Sequence, residues 1–205
     1  MWHTAVIHGW FAVSHSREDG FIMEKKTYIF LAEGFEEVEA LTVVDLVRRA
    51  GISMEMVSIS GEKTVKGAHG IVVEADVALA EADLTQADAL VLPGGMPGTR
   101  NLQACEPLVM ALKQAHEAGK LVCAICAAPL VLGLNHILEG KKASCYPGFE
   151  EDLLGAKVSY DPVSHDGNVI TSRGMGTAIL FAAEIIAALK DEDTAEKIKS
   201  AIIYE

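Results

Sequence analysis

The chain has 205 residues, half of them hydrophobic and 22% charged, with a formal net charge of -12 at pH 7. That balance describes a globular chain long enough for a full core rather than a disordered one. The acidic excess argues against a nucleic-acid surface and against docking on anionic lipid, and no apolar run reaches the length of a membrane span.

The first 22 residues are rich in His and Trp but lack the basic start and long apolar core of a secretory signal. Met23 is expected to be the physiological start, with residues 1–22 an upstream extension; an amphipathic partner-binding arm is the alternative. Residues 23–205 read as a single domain. The β-rich run Thr27–Ala32 predicts the first strand, which Gly34 ends. A helix is expected over Glu36–Ala50, with acids in its first turn and Arg48-Arg49 in its last, matching the helix dipole at both ends. Ile52–Ile59 predicts a second strand, and the Gly- and Lys-containing segment after it has room for a hairpin. Ala87–Leu92 is a continuous apolar run, the sign of a strand covered on both faces. Pro93-Gly94-Gly95 ends it. A helix follows over Pro107–Ala118, then a strand over Lys120–Ile125, a helical Leu130–Leu134, a late strand at Val169–Thr171 and a late helix over Gly176–Leu189. Strands alternating with helices predict an α/β fold with a mainly parallel central sheet. In such sheets the active crevice lies at the carboxyl ends of the strands, where Glu36–Glu39, Pro93–Gly95 and Cys126 all fall.

The segment Leu121-Val122-Cys123-Ala124-Ile125-Cys126-Ala127-Ala128-Pro129 carries most of the functional information. A buried strand stops at a cysteine, and a proline and a helix follow, which is the geometry of a nucleophile elbow. Small neighbours let the chain reverse tightly. A thiol at a helix start feels the partial charge of unpaired N–H groups, so Cys126 is expected to favour thiolate near neutral pH. The plain alternative is a buried structural cysteine, since free Cys packs as a small hydrophobe.

Dipole complementarity is enough to account for Glu36 and Glu37. Glu39 differs, because it shares a helical face with Val43, Leu46 and Ala50. A carboxyl on an apolar stripe is costly unless protonated or hydrogen-bonded, and burial raises its pKa. Such a group suits acid/base work beside a thiolate. The loop Leu92–Gly98 can present glycine N–H groups to an oxyanion; it lacks the spacing of a phosphate or dinucleotide loop. Cys123 and Cys126 form a C-x-x-C, but Cys123 lies inside the strand and no second ligand pair follows, so neither a redox dithiol nor a metal site is expected. His69, His116, His136 and His165 read as surface or satisfied core histidines. Ser172-Arg173-Gly174 opens the late helix, where an anion or simply tight packing would explain it.

Leu31-Ala32-Glu33-Gly34-Phe35-Glu36-Glu37-Val38-Glu39, Arg48-Arg49-Ala50-Gly51, Val91-Leu92-Pro93-Gly94-Gly95, Ala124-Ile125-Cys126-Ala127-Ala128-Pro129 and Thr171-Ser172-Arg173-Gly174 resemble, in this order, the DJ-1/ThiJ/PfpI family, closest to its DJ-1/ThiJ branch. The likeness runs from about Thr27 to the C-terminus. It implies a flavodoxin-like three-layer sandwich, usually dimeric. By position, Cys126 corresponds to the family's nucleophilic, oxidation-sensitive cysteine and Glu39 to the glutamate that hydrogen-bonds it. Gly94, Gly95 and the Ala127 N–H correspond to the oxyanion-binding amides. The resemblance implies glyoxalase or deglycase chemistry on methylglyoxal-type dicarbonyls, without a cofactor or metal. The partners so implied are a small aldehyde substrate and a second copy of the chain, in the cytoplasm, a setting that the four cysteines also favour over a secreted disulfide framework.

Two positions depart from the pattern. Ala127 stands where the peptidase branch has a His after the nucleophile, so protease activity is not expected. Tyr146 stands where some dicarbonyl-processing relatives have a His, and Tyr is a poor base at neutral pH; with Arg173 it is read as substrate-lining. Cys145 beside it offers a resolving thiol. Two other functions compete with the enzyme. One is a redox-responsive stress protein or chaperone whose cysteine is an oxidation sensor. The other is a ThiJ-type link to thiazole monophosphate biosynthesis, for which no phosphate-binding motif is present.

Overall fold

The apolar runs become the middle of one seven-stranded sheet. The computed structural model describes residues 25–204, so the expected extension over residues 1–22 lies outside the described residues. Strand β1 (Lys26–Leu31) leads through a turn into helix α1 (Glu37–Arg49) and back to β2 (Ser53–Ser58). A hairpin follows, β3 (Thr64–Lys66) with β4 (Val72–Glu74), then the short edge strand β5 (Val77–Ala78) and the buried β6 (Ala89–Leu92). Helices α2 (Gly98–Ala104) and α3 (Glu106–Glu117) lead to β7 (Leu121–Ile125), the elbow and α4 (Pro129–Leu134). The pair β8 (Lys142–Ala143) and β9 (Lys157–Val158) forms a small sheet of its own. The chain closes with β10 (Val163–Asp166), β11 (Val169–Ser172), α5 (Ala178–Leu189) and α6 (Glu192–Ala201).

The large sheet runs β10-β11-β7-β6-β1-β2-β5. Every pairing is parallel except β10 with β11, which reverses at the edge. Because side chains alternate along a strand, each strand feeds two cores. Ile29, Leu31, Val91, Cys123 and Ile125 face α1 and α5, around the buried Phe35 and Phe181. Tyr28, Phe30, Leu90, Leu92, Val122 and Ala124 face the opposite layer, with Leu108 and Leu112 of α3 and Leu130 of α4. Each such large apolar side chain, wholly removed from water, stabilises the fold by about 2 kcal/mol before chain entropy is charged against it. The result is a flavodoxin-like sandwich: helix layer, mainly parallel sheet, helix layer.

The parallel arrangement matters for the site. β1, β6, β7 and β11 all end at the same edge, releasing Glu33–Gly34, Pro93–Gly95, Cys126 and Arg173 side by side.

Candidate active site

Cys126 is the first residue beyond β7 and adopts a left-handed backbone, with φ of 64°. A side chain rarely accepts that conformation, and such strain concentrates where geometry is functional. The surroundings hold it from both sides. The Cys126 N–H donates to the Ser172 carbonyl at 2.9 Å, and the Cys126 carbonyl accepts the Tyr146 N–H at 2.8 Å. Ala127 and Ala128 are buried, and Pro129 opens α4, where its missing N–H costs nothing.

Glu39 lies in the first turn of α1 and is 1% exposed, on the same stripe as the buried Val43, Leu46 and Ala50. Its Oε2 accepts the Gly94 N–H at 2.8 Å. Gly94 fills the gap between acid and thiol: a Cβ there would lie 2.6 Å from Cys126 Cβ, 3.0 Å from Cys126 Sγ and 2.7 Å from Glu39 Oε2. Only glycine lets the three approach. The carbonyl of Gly94 also accepts the Glu36 N–H at 2.9 Å, which stitches the loop to the start of α1.

Electrostatics here are those of a shared, poorly solvated pair. Burial lifts the Glu39 carboxyl to about 7, against the pull of the Gly94 N–H and of a hydrogen bond with Cys126. Burial first, then the charge and hydrogen bond of Glu39, pushes the Cys126 thiol up to about 12; the N–H groups of Ala127 and Gly95 act the other way. This corrects the expectation that a helix start ionises the cysteine. α4 has only six residues and begins three positions further on, while the sulfur sits against an acid in a dry setting. A helix field fades within its first turn and is overridden here.

A second correction concerns the amides. The N–H groups of Gly95 and Ala127 pull the Cys126 thiol down against its burial, but the Gly94 N–H is taken by Glu39. Gly94 therefore orients the acid and does not serve as an oxyanion donor.

The two residues read as substrate-lining reach the same rim. Tyr146 is half exposed, bonded through its N–H to Cys126, and its ring would lie 3.3 Å from a Cβ at Gly174. Arg173 directly follows β11. Cys145 does not fit its expected role as a resolving thiol. It packs into the core on the α3–α4 side of the sheet, whereas Cys126 packs on the α1–α5 side. Cys123 is fully buried in β7 and its thiol is held far above the ordinary value by burial.

Glu37 was expected to do no more than complement the dipole. Instead it is 2% exposed and clamps the hairpin loop. Its Oε1 accepts the His69 N–H at 2.7 Å and the Ile71 N–H at 3.4 Å, and its Oε2 lies 2.8 Å from His69 Nδ1. Burial pushes the Glu37 carboxyl up, but the His69 ring and these N–H groups outweigh it and hold it below the usual range. Glu36 Oε2 stands 3.5 Å from the same imidazole, and among the described residues these three side chains form a carboxylate–imidazole cluster. The Glu37 oxygens are already engaged by the hairpin. Of the other histidines, His136 pairs with Glu139 and His165 with Glu184, while the main chain of His116 accepts from Asn168. Only a contact between distant segments distinguishes Glu37 from Glu36, and no local pattern announces it.

The profile of the DJ-1/PfpI family matches residues 25–188. A Drosophila melanogaster protein named dj-1beta is 33% identical over 88% of this chain and 98% of its own length. An archaeal protein from Pyrococcus abyssi, named a deglycase, is 31% identical over 80% of this chain and 99% of its own. Two Arabidopsis thaliana DJ-1 homologues, A and B, are 37% and 36% identical, and the chain spans less than half of their length, 46% and 41%. Among solved structures, oxidized Toxoplasma gondii DJ-1 superposes with a TM-score of 0.85 at 32% identity, over 88% of this chain and 98% of that one. Drosophila DJ-1beta superposes with 0.84 at 32% identity, over 89% and 100%. No helix among the described residues is long and apolar enough to cross a membrane.

Proposed function

We propose that this chain, which belongs to the DJ-1/PfpI family, is a cofactor-independent glyoxalase or deglycase for methylglyoxal-type dicarbonyls. One observation carries the reading. A buried carboxyl and a strained, partly exposed thiol face each other across Gly94, whose N–H the carboxyl accepts and where no side chain would fit. The archaeal relative named a deglycase supports it.

The chemistry follows from that geometry. Glu39 takes the thiol proton, and the sulfur adds to the aldehyde carbon of methylglyoxal. The oxyanion so formed sits on the carbon now bonded to sulfur, beside the Gly95 and Ala127 N–H groups, and takes the proton back from Glu39 as a hydroxyl. The freed Glu39 carboxylate then takes the hydrogen on that carbon as a proton and delivers it to the neighbouring carbonyl carbon, while the hydroxyl proton passes to the neighbouring oxygen. This gives a thioester of lactate on Cys126. Water cleaves the thioester, releasing lactate and restoring the thiol. Glu39 suits both directions of transfer because burial places its pKa near the working pH. Tyr146, tied to Cys126 through its N–H, is the side chain taken to border the substrate. A homodimer in the cytoplasm is the assembly and setting that belong to this reading.

Incubation with methylglyoxal, following lactate, tests it. Cys126→Ala is expected to lose about 10³-fold or more in kcat/KM; a variant as fast as the parent refutes the assignment.

A second reading has its own support. An oxidised sulfur would find the same two N–H groups, and one structural relative is itself described as oxidized. In that reading Cys126 is a sensor climbing to sulfenic and sulfinic acids. Mass spectrometry after mild peroxide decides: Cys126 should oxidise before the partly exposed Cys105.

A further inference from the structure

We infer that the carbonyl compound taken by this site carries an anionic group, a carboxylate or a phosphate, and that Arg173 selects it. The inference deepens the glyoxalase reading and takes from it only that Cys126 is the reacting atom.

Three observations point to it. The first is position. β7 and β11 pair in register, Ile125 with Ser172, so Cys126 and Arg173 are the next residues off two adjacent strand ends. Neighbouring strands lie about 4.8 Å apart, and the Cys126 N–H bonds the Ser172 carbonyl at 2.9 Å. A small molecule over the sulfur is therefore within the span of an arginine side chain.

The second is that the guanidinium is held ready without a counter-ion. Its carbon lies 5.8 Å from the centroid of the Tyr160 ring, and the Arg173 main-chain N–H bonds the Pro162 carbonyl at 3.3 Å, fixing the backbone from which it extends. Among the described residues no carboxylate stands within salt-bridge distance of it, and its Nε is shut off from water with no hydrogen-bond partner. The other arginines among the described residues each have a carboxylate partner: Arg48 with Asp76, Arg49 with Asp45 and Arg100 with Asp152. Asp161, between Tyr160 and Pro162 in the chain, pairs with Lys142; Asp152 stands 3.9 Å from Arg100, and Glu150 accepts the Gly148 N–H at 2.7 Å. A partly desolvated guanidinium with unused donors matches carboxylate or phosphate oxygens in its fork.

The third is the frame. Tyr146 and Tyr160 are both exposed, and the Tyr146 ring rests over Gly174, next in the chain to Arg173. The guanidinium lies beside Tyr160, on the strand-end rim from which Cys126 also emerges. Fixing the anionic end there would orient the carbonyl carbon over the sulfur. The substrate class is thus a short 2-oxoaldehyde bearing a carboxylate or phosphate ester.

Alkylation of Cys126 tests this without any turnover. Iodoacetate and iodoacetamide are close in size and differ in charge, and free N-acetylcysteine gives their ratio of rates without a protein. The parent protein should favour iodoacetate over iodoacetamide by roughly tenfold relative to N-acetylcysteine. That preference should vanish in Arg173→Met and survive in part in Arg173→Lys. Inorganic phosphate and acetate, added separately, should slow iodoacetate more than iodoacetamide, and the stronger competitor identifies which anion the site prefers. A parent ratio equal to that of N-acetylcysteine overturns the inference, even if Arg173→Met does not fold. So does a ratio that Arg173→Met leaves elevated, or indifference to both anions. Anion-selective alkylation in a protein inactive on methylglyoxal would count against the glyoxalase reading and not against this one. Full turnover with no anion preference would do the reverse.

Discussion

The backbone N–H of Gly94 donates to Glu39 Oε2 at 2.8 Å. That single bond fixes the rotation of the carboxyl beside Cys126. It also ties the acid of one helix to the loop after a different strand. The spacing between thiol and acid is thus set by main chain rather than by a flexible side chain.

Gly94→Ala should disable the site and strain the fold together. The added methyl would meet Cys126 Cβ at 2.6 Å and Glu39 Oε2 at 2.7 Å, closer than side-chain atoms pack. A loss of about 1–3 kcal/mol in stability is expected, the usual cost of overpacking, with turnover reduced more than tenfold. Urea unfolding and lactate formation measure the two effects.

Glu39→Gln keeps the shape and removes the proton acceptor. Turnover on methylglyoxal should fall by about 10²–10⁴-fold, while Cys126 stays open to iodoacetamide. The parent rate should rise with pH through about 7, where the acid loses its proton and can accept the one on sulfur. That ascending limb should disappear in the variant. A pH–rate profile of both proteins checks it.

The same acid should be a stability burden in alkali. Its folded pKa is raised, so its favourable share is complete below the ordinary value of 4.5 and is lost as pH rises through about 7. Glu39→Gln is therefore expected to unfold at a higher temperature than the parent at pH 8, with a smaller gap at pH 5. Thermal melts at the two pH values report the sign.

Glu37→Ala should loosen the β3–β4 hairpin at a cost of about 2 kcal/mol, since it strips bonds from a buried charged acceptor. The pH dependence of the parent has two limbs. Glu37 has a lowered pKa, so its contribution is present above 4.5 and lost as pH falls through its folded value. His69 has a raised pKa, from its hydrogen bond with Glu37 and the charges of Glu36 and Glu37; its contribution is full below 6.5 and lost as pH rises through its folded value. Protection of the His69 and Ile71 amides against hydrogen exchange should peak between those limits.

What the sequence made legible follows from burial. β1, β6 and β7 are nearly continuous apolar runs because helices cover both faces, and α1 shows its stripe because only one face is buried. The elements that escaped are short or lie at edges. β5 and β8 have two residues each, β10 is an edge strand reading Val-Ser-His-Asp, and α6 buries only Ala195. α2 begins at Gly98, directly after Pro97, which reads as loop. In the site, residue identities were readable because each stands at a strand end or on an apolar stripe. The allocation of hydrogen bonds was not. Whether the Gly94 N–H serves an oxyanion or Glu39, and whether Glu37 meets solvent or a hairpin, is decided by segments far apart in the chain. The ionisation of Cys126 turned on the same thing: a helix start is visible locally, while a buried acid across the sheet edge is not.

The two cores give the sheet edge a further consequence. Cys126 and Glu39 belong to the α1–α5 layer, whereas the loop bearing Cys145 and Tyr146 is rooted in the layer beyond. The reactive pair and the Tyr146 loop thus rest on opposite layers and meet at one hydrogen bond, from the Tyr146 N–H to the Cys126 carbonyl. Side chains of that loop can change the compounds admitted as long as this main-chain bond keeps the cysteine in place.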